Sequence, residues 1–362
     1  MKKVLIIGSS TLGESPYIQA YLDVFKRHAV PFDFIFWNKH LDKDTVPVNY
    51  IPYNCYYDNR YPFWRKFLNI FKYSLFIKHK LREKEYAFVI TFTIAQSMFI
   101  YPFLKEKYKG KYIFDIRDYS PMCRIAFFQK ILIKLIDNSY FTAISSEGFM
   151  SWLPNVRINK YKITHNIPAF FYNDNKSAII TKPKDKIKIL TIGQIAYCRA
   201  QQDFIDKISE CNIIDLHFVG YGFSVPILKK YVEDNHITNV FFHGKYKKKD
   251  EDAIVCAYDM INIYFNHGIN EDTLLTNRFY LSVRLRKPMI VLQNTYQAAL
   301  VEKYELGLIV SEKDDLVSKI NFYWTNFDSY KFEKGCTDFL KTVKEDMLNF
   351  QEGIMELYNL TK

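Results

Sequence analysis

The sequence predicts an α/β protein built from two doubly wound domains, each a parallel sheet covered by helices on both faces. Three observations carry this. Short apolar runs ending at glycine or polar turns alternate along the chain with stretches of helical spacing. Those runs are continuously apolar, as strands buried on both faces are. And 362 residues exceed what one ordinary core holds, so two domains are expected.

The elements follow in order. "KKVLIIGSS" is a buried strand closed by a turn. "SPYIQAYLDVFKRHAV" has Ile18, Tyr21, Leu22 and Phe25 on one helical face. "FDFIFWN", "YAFVITFT", "KYIFDIRD", "FTAISS" and "KITHNIP" are further strands, with "QSMFIYPFLKEKYKG" a helix among them. The second half offers six strands, "IKILTIG", "DLHFVGYG", "NVFFHGK", "MINIYFN", "KPMIVL" and "LGLIV", with helical stretches between. Residues 169–186 are polar and irregular and are the best linker. The domains are therefore 1–168 and 187–328, followed by helical sequence over 329–362. Two such domains facing each other leave a shared cleft at the carboxyl ends of their strands.

Net charge is +11, and it is one-sided. Residues 1–180 hold 26 Lys and Arg against 14 acids, whereas 181–362 hold 24 against 25. A basic first half points to an anionic partner such as lipid headgroups or a phosphorylated substrate. No RNA- or DNA-binding signature is present, so nucleic acid is not expected. The six cysteines form no CxxC pair and no metal spacing, as in reduced thiols of a cytosolic protein. Neither a signal peptide nor a run of about twenty apolar residues is visible.

Several stretches carry candidate chemistry. In "TIGQIAYCRAQQDFIDKI", Gly193 permits a tight turn after a strand, and Arg199 stands near the next helix start, where a diphosphate would bind. Gly220 and Gly222 end a strand, where glycine permits close approach of a ring or ribose. Tyr246 follows the next strand and is placed to stack on a base. "TNRFYLSVRLRKPMIVLQNT" carries Arg278, Arg284, Arg286 and Lys287 and no acid. Asn277 and Arg278 lie at the helix start, where free amides and the positive dipole favour an anion. Arg284 and Arg286 lie nearer the carboxyl end, where cations suit the dipole without a ligand. Asp115, Arg117 and Asp118 leave a strand end; they either fix their loop as an internal pair or supply a base and an anion contact.

The order "IG…R", "FVGYG", "VFFHGKY", "AYDMINIYF", "LLTNRFYLSVRLRKPMIV" and "YELGLIV" resembles the donor half of family 4 glycosyltransferases, which have the GT-B fold. "LIIGSSTLGESPY", "KGKYIFDIRDYSP" and "ITHNIP" extend the resemblance to the first half. It implies two facing Rossmann-like domains, with the terminal helices crossing back to the first. It also implies roles. Arg199 and the amides of Thr273 to Asn277, Thr276 included, would hold the donor diphosphate. Gly222 and Tyr246 would flank the base, and Gly13 would approach donor or acceptor. The substrate would be a nucleotide-diphosphate sugar, with no metal required. Where the family has a glutamate in the second-half helix, Leu281 stands here.

Residues 61–82, "YPFWRKFLNIFKYSLFIKHKLR", hold six Lys or Arg, one His and no acid. On a helix, Phe63, Trp64, Phe67, Leu68, Ile70, Phe71, Leu75 and Ile77 fall on one face and Arg65, Lys66, Lys72, Tyr73, His79 and Lys80 on the other. A core-facing helix with a solvated basic back explains the amphipathicity, but not the missing acids. A helix lying in an anionic membrane surface explains both. The expectation is therefore a cytoplasmic glycosyltransferase, peripheral on the inner face of the plasma membrane. It would act on a lipid-linked glycan acceptor in bacterial surface polysaccharide synthesis. The alternatives are another GT-B enzyme, such as an epimerase or pyruvyl transferase, and a glycan- or membrane-binding partner without catalysis.

Overall fold

The computed structural model describes residues 2–42, 45–58, 60–154, 158–168, 183 and 185–362. The expected linker, 169–186, lies outside the described residues except at 183, 185 and 186. The chain divides into two compact units, Met1–Pro168 with Glu345–Lys362, and Ala169–Lys344.

The first unit runs β1 (Val4–Ile7), α1 (Gln19–Arg27), β2 (Phe32–Asn38), β3 (Tyr50–Asn54), α2 (Phe63–Glu83), β4 (Val89–Phe92), α3 (Ile94–Lys107), β5 (Tyr112–Ile116), α4 (Ala126–Asn138), β6 (Phe141–Ile144) and β7 (Tyr161–Ile163). Its seven strands are all parallel, in the order β3-β2-β1-β4-β5-β6-β7. Val4 to Ile7 are each 0% exposed, so β1 lies inside the sheet, and its unbroken apolar run is what burial on both faces demands. Winding reverses at β1: the chain moves outward to β3, then α2 carries it back to β4 on the other side. Two elements were not expected. β3 contains Pro52, which argues against a strand but is tolerated because β3 is an edge. α4 buries Leu132, Leu135 and Ile136 at helical spacing.

The expected helix at 61–82 forms, and most of its apolar stripe stays outside; the departure is on the other face. Tyr73, placed by pattern on the cationic face, is 1% exposed and donates to the Gly8 carbonyl at 2.6 Å. Ser74, Ile77 and Leu81 are buried with it. Trp64, Phe67, Leu68, Phe71 and Leu75 are exposed, Trp64 at 63%. The phenol's backbone acceptor and the Tyr53–Tyr73 and Trp37–Tyr73 ring contacts fix the inward face, so the apolar stripe is left outside.

The second unit runs β8 (Ile187–Gln194), α5 (Cys198–Ile208), β9 (Ile214–Tyr221), α6 (Ser224–Asp234), β10 (Val240–Gly244), α7 (Glu251–Cys256), β11 (Met260–Ile263), α8 (Ile269–Thr273), α9 (Asn277–Arg284), β12 (Met289–Leu292), α10 (Tyr296–Tyr304), β13 (Gly307–Val310) and α11 (Leu316–Thr325). All six expected strands form one parallel sheet, β10-β9-β8-β11-β12-β13, whose winding reverses between β8 and β11. Ile189, Leu216 and Phe218 pack on Phe204, Ile205 and Leu228 of α5 and α6.

α12 (Ser329–Thr361) is one continuous helix of 33 residues. Its first part belongs to the second unit, where Phe339 contacts the rings of Phe279, Tyr280 and Tyr304, and Gly335 lies so close to the Tyr304 carbonyl that a Cβ would sit 1.7 Å from it. Its last part belongs to the first unit, where Phe350 packs edge-on against Tyr21 and Phe141.

On the β9–β10 edge, His217 stacks on Phe241 and shares a 2.9 Å hydrogen bond between its Nδ1 and His243 Nε2. Burial, with help from His243, pushes His217 from 6.5 down to about 4. The folded state thus keeps this ring neutral where the unfolded chain would protonate it, and stability is lost as pH falls from about 6.5 toward about 4. Because the ring is only half-buried, the loss is on the order of 1 kcal/mol. Urea titrations across that window should show His217→Phe losing less stability on acidification than the parent; equal losses would remove His217 as the cause.

Candidate functional site

The carboxyl ends of β8 and β11 lie side by side at the point where the second sheet's winding reverses, so the connections diverge and leave the strand ends uncovered. Gly193, at φ +90°, turns the chain there, and a Cβ on it would meet nothing within 4 Å. Arg278, in the first turn of α9, reaches this turn: its Nε donates to the Ile192 carbonyl at 2.5 Å and Nη2 to the Gln194 carbonyl at 2.6 Å. Its guanidinium lies 5.6 Å from the Phe265 ring, which meets the Tyr197 ring at 4.7 Å in a tilted contact. Burial lowers the Arg278 pKa below its ordinary value, with the Tyr197 and Tyr246 phenols opposing.

The four cations of 276–295 divide sharply. Arg284 is 2% exposed and forms a two-pronged ion pair with Asp252, and Arg286 pairs with Glu333 at 2.9 Å. Lys287 donates to the Cys256 carbonyl at 3.0 Å, near Asp259. The acids missing from the local sequence therefore arrive from α7 and α12. Arg278 alone of the three arginines touches only carbonyls and rings, and makes no ion pair with a described residue.

Thr276 is the N-cap of α9: its hydroxyl accepts from Phe279 N, and its own amide and hydroxyl both donate to Gln297 Oε1, at 3.2 and 2.8 Å. The expected offer of the Thr276 amide to a diphosphate is thus corrected, because the buried Gln297 already takes it. Thr273 is 8% exposed and its hydroxyl closes on the Ile269 carbonyl at 2.5 Å, while the Leu274 amide donates to the Asn270 carbonyl. The amides of Leu275, Asn277 and Arg278 donate to no described residue, as the first turn of a helix requires. Arg199 is exposed on the first turn of α5, with no hydrogen bond or ion pair to a described residue.

Gly222 is a correction. A Cβ there would sit 2.0 Å from the Ile195 carbonyl, and one on Gly220 1.9 Å from the Gly193 carbonyl. The close approach these glycines were expected to give a ring or ribose is taken, on the side where a Cβ would point, by the backbone of β8 and the residue after it. Tyr246 is half-buried after β10, and its hydroxyl donates to Glu251 Oε1 at 2.7 Å. Leu281 is 4% exposed. Residues that reading the sequence did not single out are Tyr197, Phe265, Gln297 and Asn266, whose Oδ1 accepts from Ala200 N at 3.3 Å. Only the turn after "YF" in "INIYFNHG" hinted at the middle of this set.

In the first unit, Asp115 is 0% exposed at the end of β5. It holds Arg117 through contacts of 2.6 Å to Nε and to Nη2, and it accepts from the Tyr21 hydroxyl at 2.7 Å. Arg117 is 8% exposed, lies over the Tyr17 ring at 4.8 Å and donates to the Thr164 carbonyl at 3.4 Å. Of the two readings left open, this is the loop-fixing pair; neither group is available as base or anion contact. Asp118 is exposed beyond the same strand. Gly13 sits in a short 3-10 turn after β1 with open space beside its Cα. Ser145 donates to the Arg117 carbonyl at 3.4 Å, and His165, ion-paired with Asp346 at 3.0 Å, is a packed turn residue. Among the described residues no three His, Cys, Asp or Glu side chains converge to hold a metal ion, and no helix is long and apolar enough to cross a membrane.

No protein-family model and no curated protein matches the chain. Solved structures do. Sucrose-phosphate synthase from Thermosynechococcus elongatus is similar at TM-score 0.70 and 11% identity, over 99% of this chain and 100% of that one. HepE of Anabaena in complex with UDP is similar at 0.66 and 12%, over 98% and 100%. The lipopolysaccharide outer core galactosyltransferase WaaB is similar at 0.66 and 13%, over 98% and 99%. At such identities the likeness is one of fold, and the fold is GT-B.

Removing one partner of a buried ion pair strands the other, at about 3–5 kcal/mol. Arg117→Ala should lower unfolding stability by that order, measured by urea titration. Unchanged stability would return Arg117 to the list of reachable groups.

Proposed function

We infer that the protein is a glycosyltransferase that takes a sugar from a nucleotide-diphosphate donor. One observation carries this: a half-buried guanidinium, Arg278, seated on the carbonyls of the β8 turn, with no carboxylate partner among the described residues, beside amides of Leu275, Asn277 and Arg278 that have no acceptor among them either. Fixed positive charge is what a departing diphosphate needs, because the charge that develops on the leaving oxygen meets dipoles already in place. Arg199, exposed on the first turn of α5, would close on the same group. Tyr246 would lie against the base. The solved structures of like fold include proteins bound to UDP, which makes UDP the first nucleotide to try.

Asp118, exposed beyond β5, is the carboxylate we assign to the acceptor's proton. For the acceptor, the observation is α2. Trp64, Phe67, Leu68, Phe71 and Leu75 form an exposed apolar stripe, flanked by Arg65 and Lys72 and continued by Lys78 and Arg82. Such a stripe lies well in an anionic bilayer surface, where each cation adds on the order of 1 kcal/mol. This supports a peripheral enzyme working on a lipid-linked glycan, as surface polysaccharide assembly requires. Leu281 favours one second reading: with no carboxylate at that buried position, the chain would bind nucleotide sugar without turning it over.

UDP should bind saturably in calorimetric titration, and Arg278→Gln should weaken it at least about tenfold, the loss expected for a charge-assisted contact. Undiminished affinity in that variant would sink the donor site, and binding without released UDP across a donor and acceptor panel would select the second reading. In flotation assays the protein should rise with phosphatidylglycerol vesicles and stay behind with phosphatidylcholine. The triple variant Trp64→Ser, Phe71→Ser, Leu75→Ser should stay behind with both, its fold intact because all three side chains are exposed. Parent and variant floating alike would exclude the α2 stripe.

A further inference from the structure

A cavity of about 640 Å³ opens in the first unit beside the turn after β1, away from the charged groups discussed above. Parallel register sets Phe34 against Tyr50, Phe36 against Pro52 and Asn38 against Asn54, so period 2 turns these six side chains to one face. Phe34 and Phe36 stack at 5.3 Å and form an apolar floor. Leu41, Val46 and Pro47 wall it on one side and Leu12 with Gly13 on the other. His40 and Glu14, 3.1 Å apart, tie the two walls.

The polar groups are at the rim, and they differ in kind. Asn38 is satisfied: its Nδ2 donates to the Asp42 carbonyl at 2.8 Å and to Asn54 Oδ1 at 2.9 Å, and its Oδ1 accepts from Asp42 N at 3.0 Å. The Asp42 carboxylate makes no hydrogen bond or ion pair with a described residue, and Thr11 Oγ1 faces the same opening. Among the described residues no Lys, Arg or His lines the cavity.

We propose that this cavity binds a single-tailed amphiphile, with its hydrocarbon chain over Phe34 and Phe36 and an uncharged, hydroxyl-bearing head at Asp42 and Thr11. A tail suits the floor because Phe34 and Phe36 present stacked rings there, and burial of apolar surface is the attraction they offer. The head is uncharged because a lone carboxylate repels anions, and hydroxyls because a carboxylate accepts only from donors. The volume suits one small-molecule ligand. That this amphiphile is the sugar acceptor rests on the glycosyl-transfer reading; the binding itself does not.

The probe is octyl β-glucoside below its micellar concentration, with glucose as the head alone, titrated calorimetrically into the full chain. Octyl glucoside should saturate one site while glucose does not over the same range. Val46→Trp, which fills the mouth from a position 36% exposed, should weaken the glucoside at least about tenfold. Asp42→Asn should weaken it less and leave the alkyl contribution. The α2 triple variant should bind it like the parent, since α2 packs on the opposite face of β2 through Trp37. Absence of saturation, equal binding of glucose, an undiminished Val46→Trp, or loss in the α2 variant would each overturn the proposal. UDP titrated into Val46→Trp separates the failures: retained UDP binding with no glucoside binding in any variant removes the cavity alone, and the converse removes the donor site alone.

Discussion

Both sheets depend on one topological constraint, the reversal of winding beside a central strand. A parallel sheet wound in a single direction would have its connecting helices follow one another over the strand ends. Where direction changes, between β1 and β4 and between β8 and β11, successive connections leave toward opposite faces and the strand ends stay open. The Gly193 turn with Arg278 sits at such an opening in one sheet and the turn after Ile7 with Gly13 in the other, whereas Asp118 follows β5 and Tyr246 follows the edge strand β10. The continuous apolar strands that force this architecture are thus also what creates its vacant, polar-lined ends.

Within that frame charge is sorted by partner. Arg117, Arg284 and Arg286 are buried and each holds an acid, so their charges are neutralised inside the fold. They fix geometry: a loop at the end of β5, α7 against α9, and α9 against α12. Arg278 is held in place by carbonyls, which orient a guanidinium without cancelling its charge. The three ion-paired arginines and Arg278 therefore differ in the chemistry of their acceptors, carboxylates for the first three and carbonyls for Arg278.

That distinction marks the limit of what the sequence shows. The strands of the second sheet were all legible, because buried parallel strands read as short unbroken apolar runs. The third strand was hidden by Pro52, a residue excluded from central strands and harmless at an edge. In "LSVRLRKP" local acids are absent, so nothing nearby shows what Arg284 and Arg286 pair with; Asp252 and Glu333 are 32 and 47 positions away and only folding brings them in. Helical periodicity found the amphipathic stripe of α2 but not which face turns inward, since a tyrosine with a carbonyl to bind, Tyr73, outcompeted larger apolar surface. Gly220 and Gly222 were legible as obligatory glycines; that the close neighbour is another strand was not.

The long terminal helix has a consequence for how the molecule is made. Residues 345–362 complete the first unit, seating Phe350 between Tyr21 and Phe141, yet they emerge from the ribosome after the whole of 169–344. The second unit can therefore close its core during translation while the first waits, its sheet formed but one flank bare, until the last turns of the helix arrive. Nascent chains stalled before residue 345 would expose that flank to chaperones, inverting the usual amino-to-carboxyl order of domain maturation.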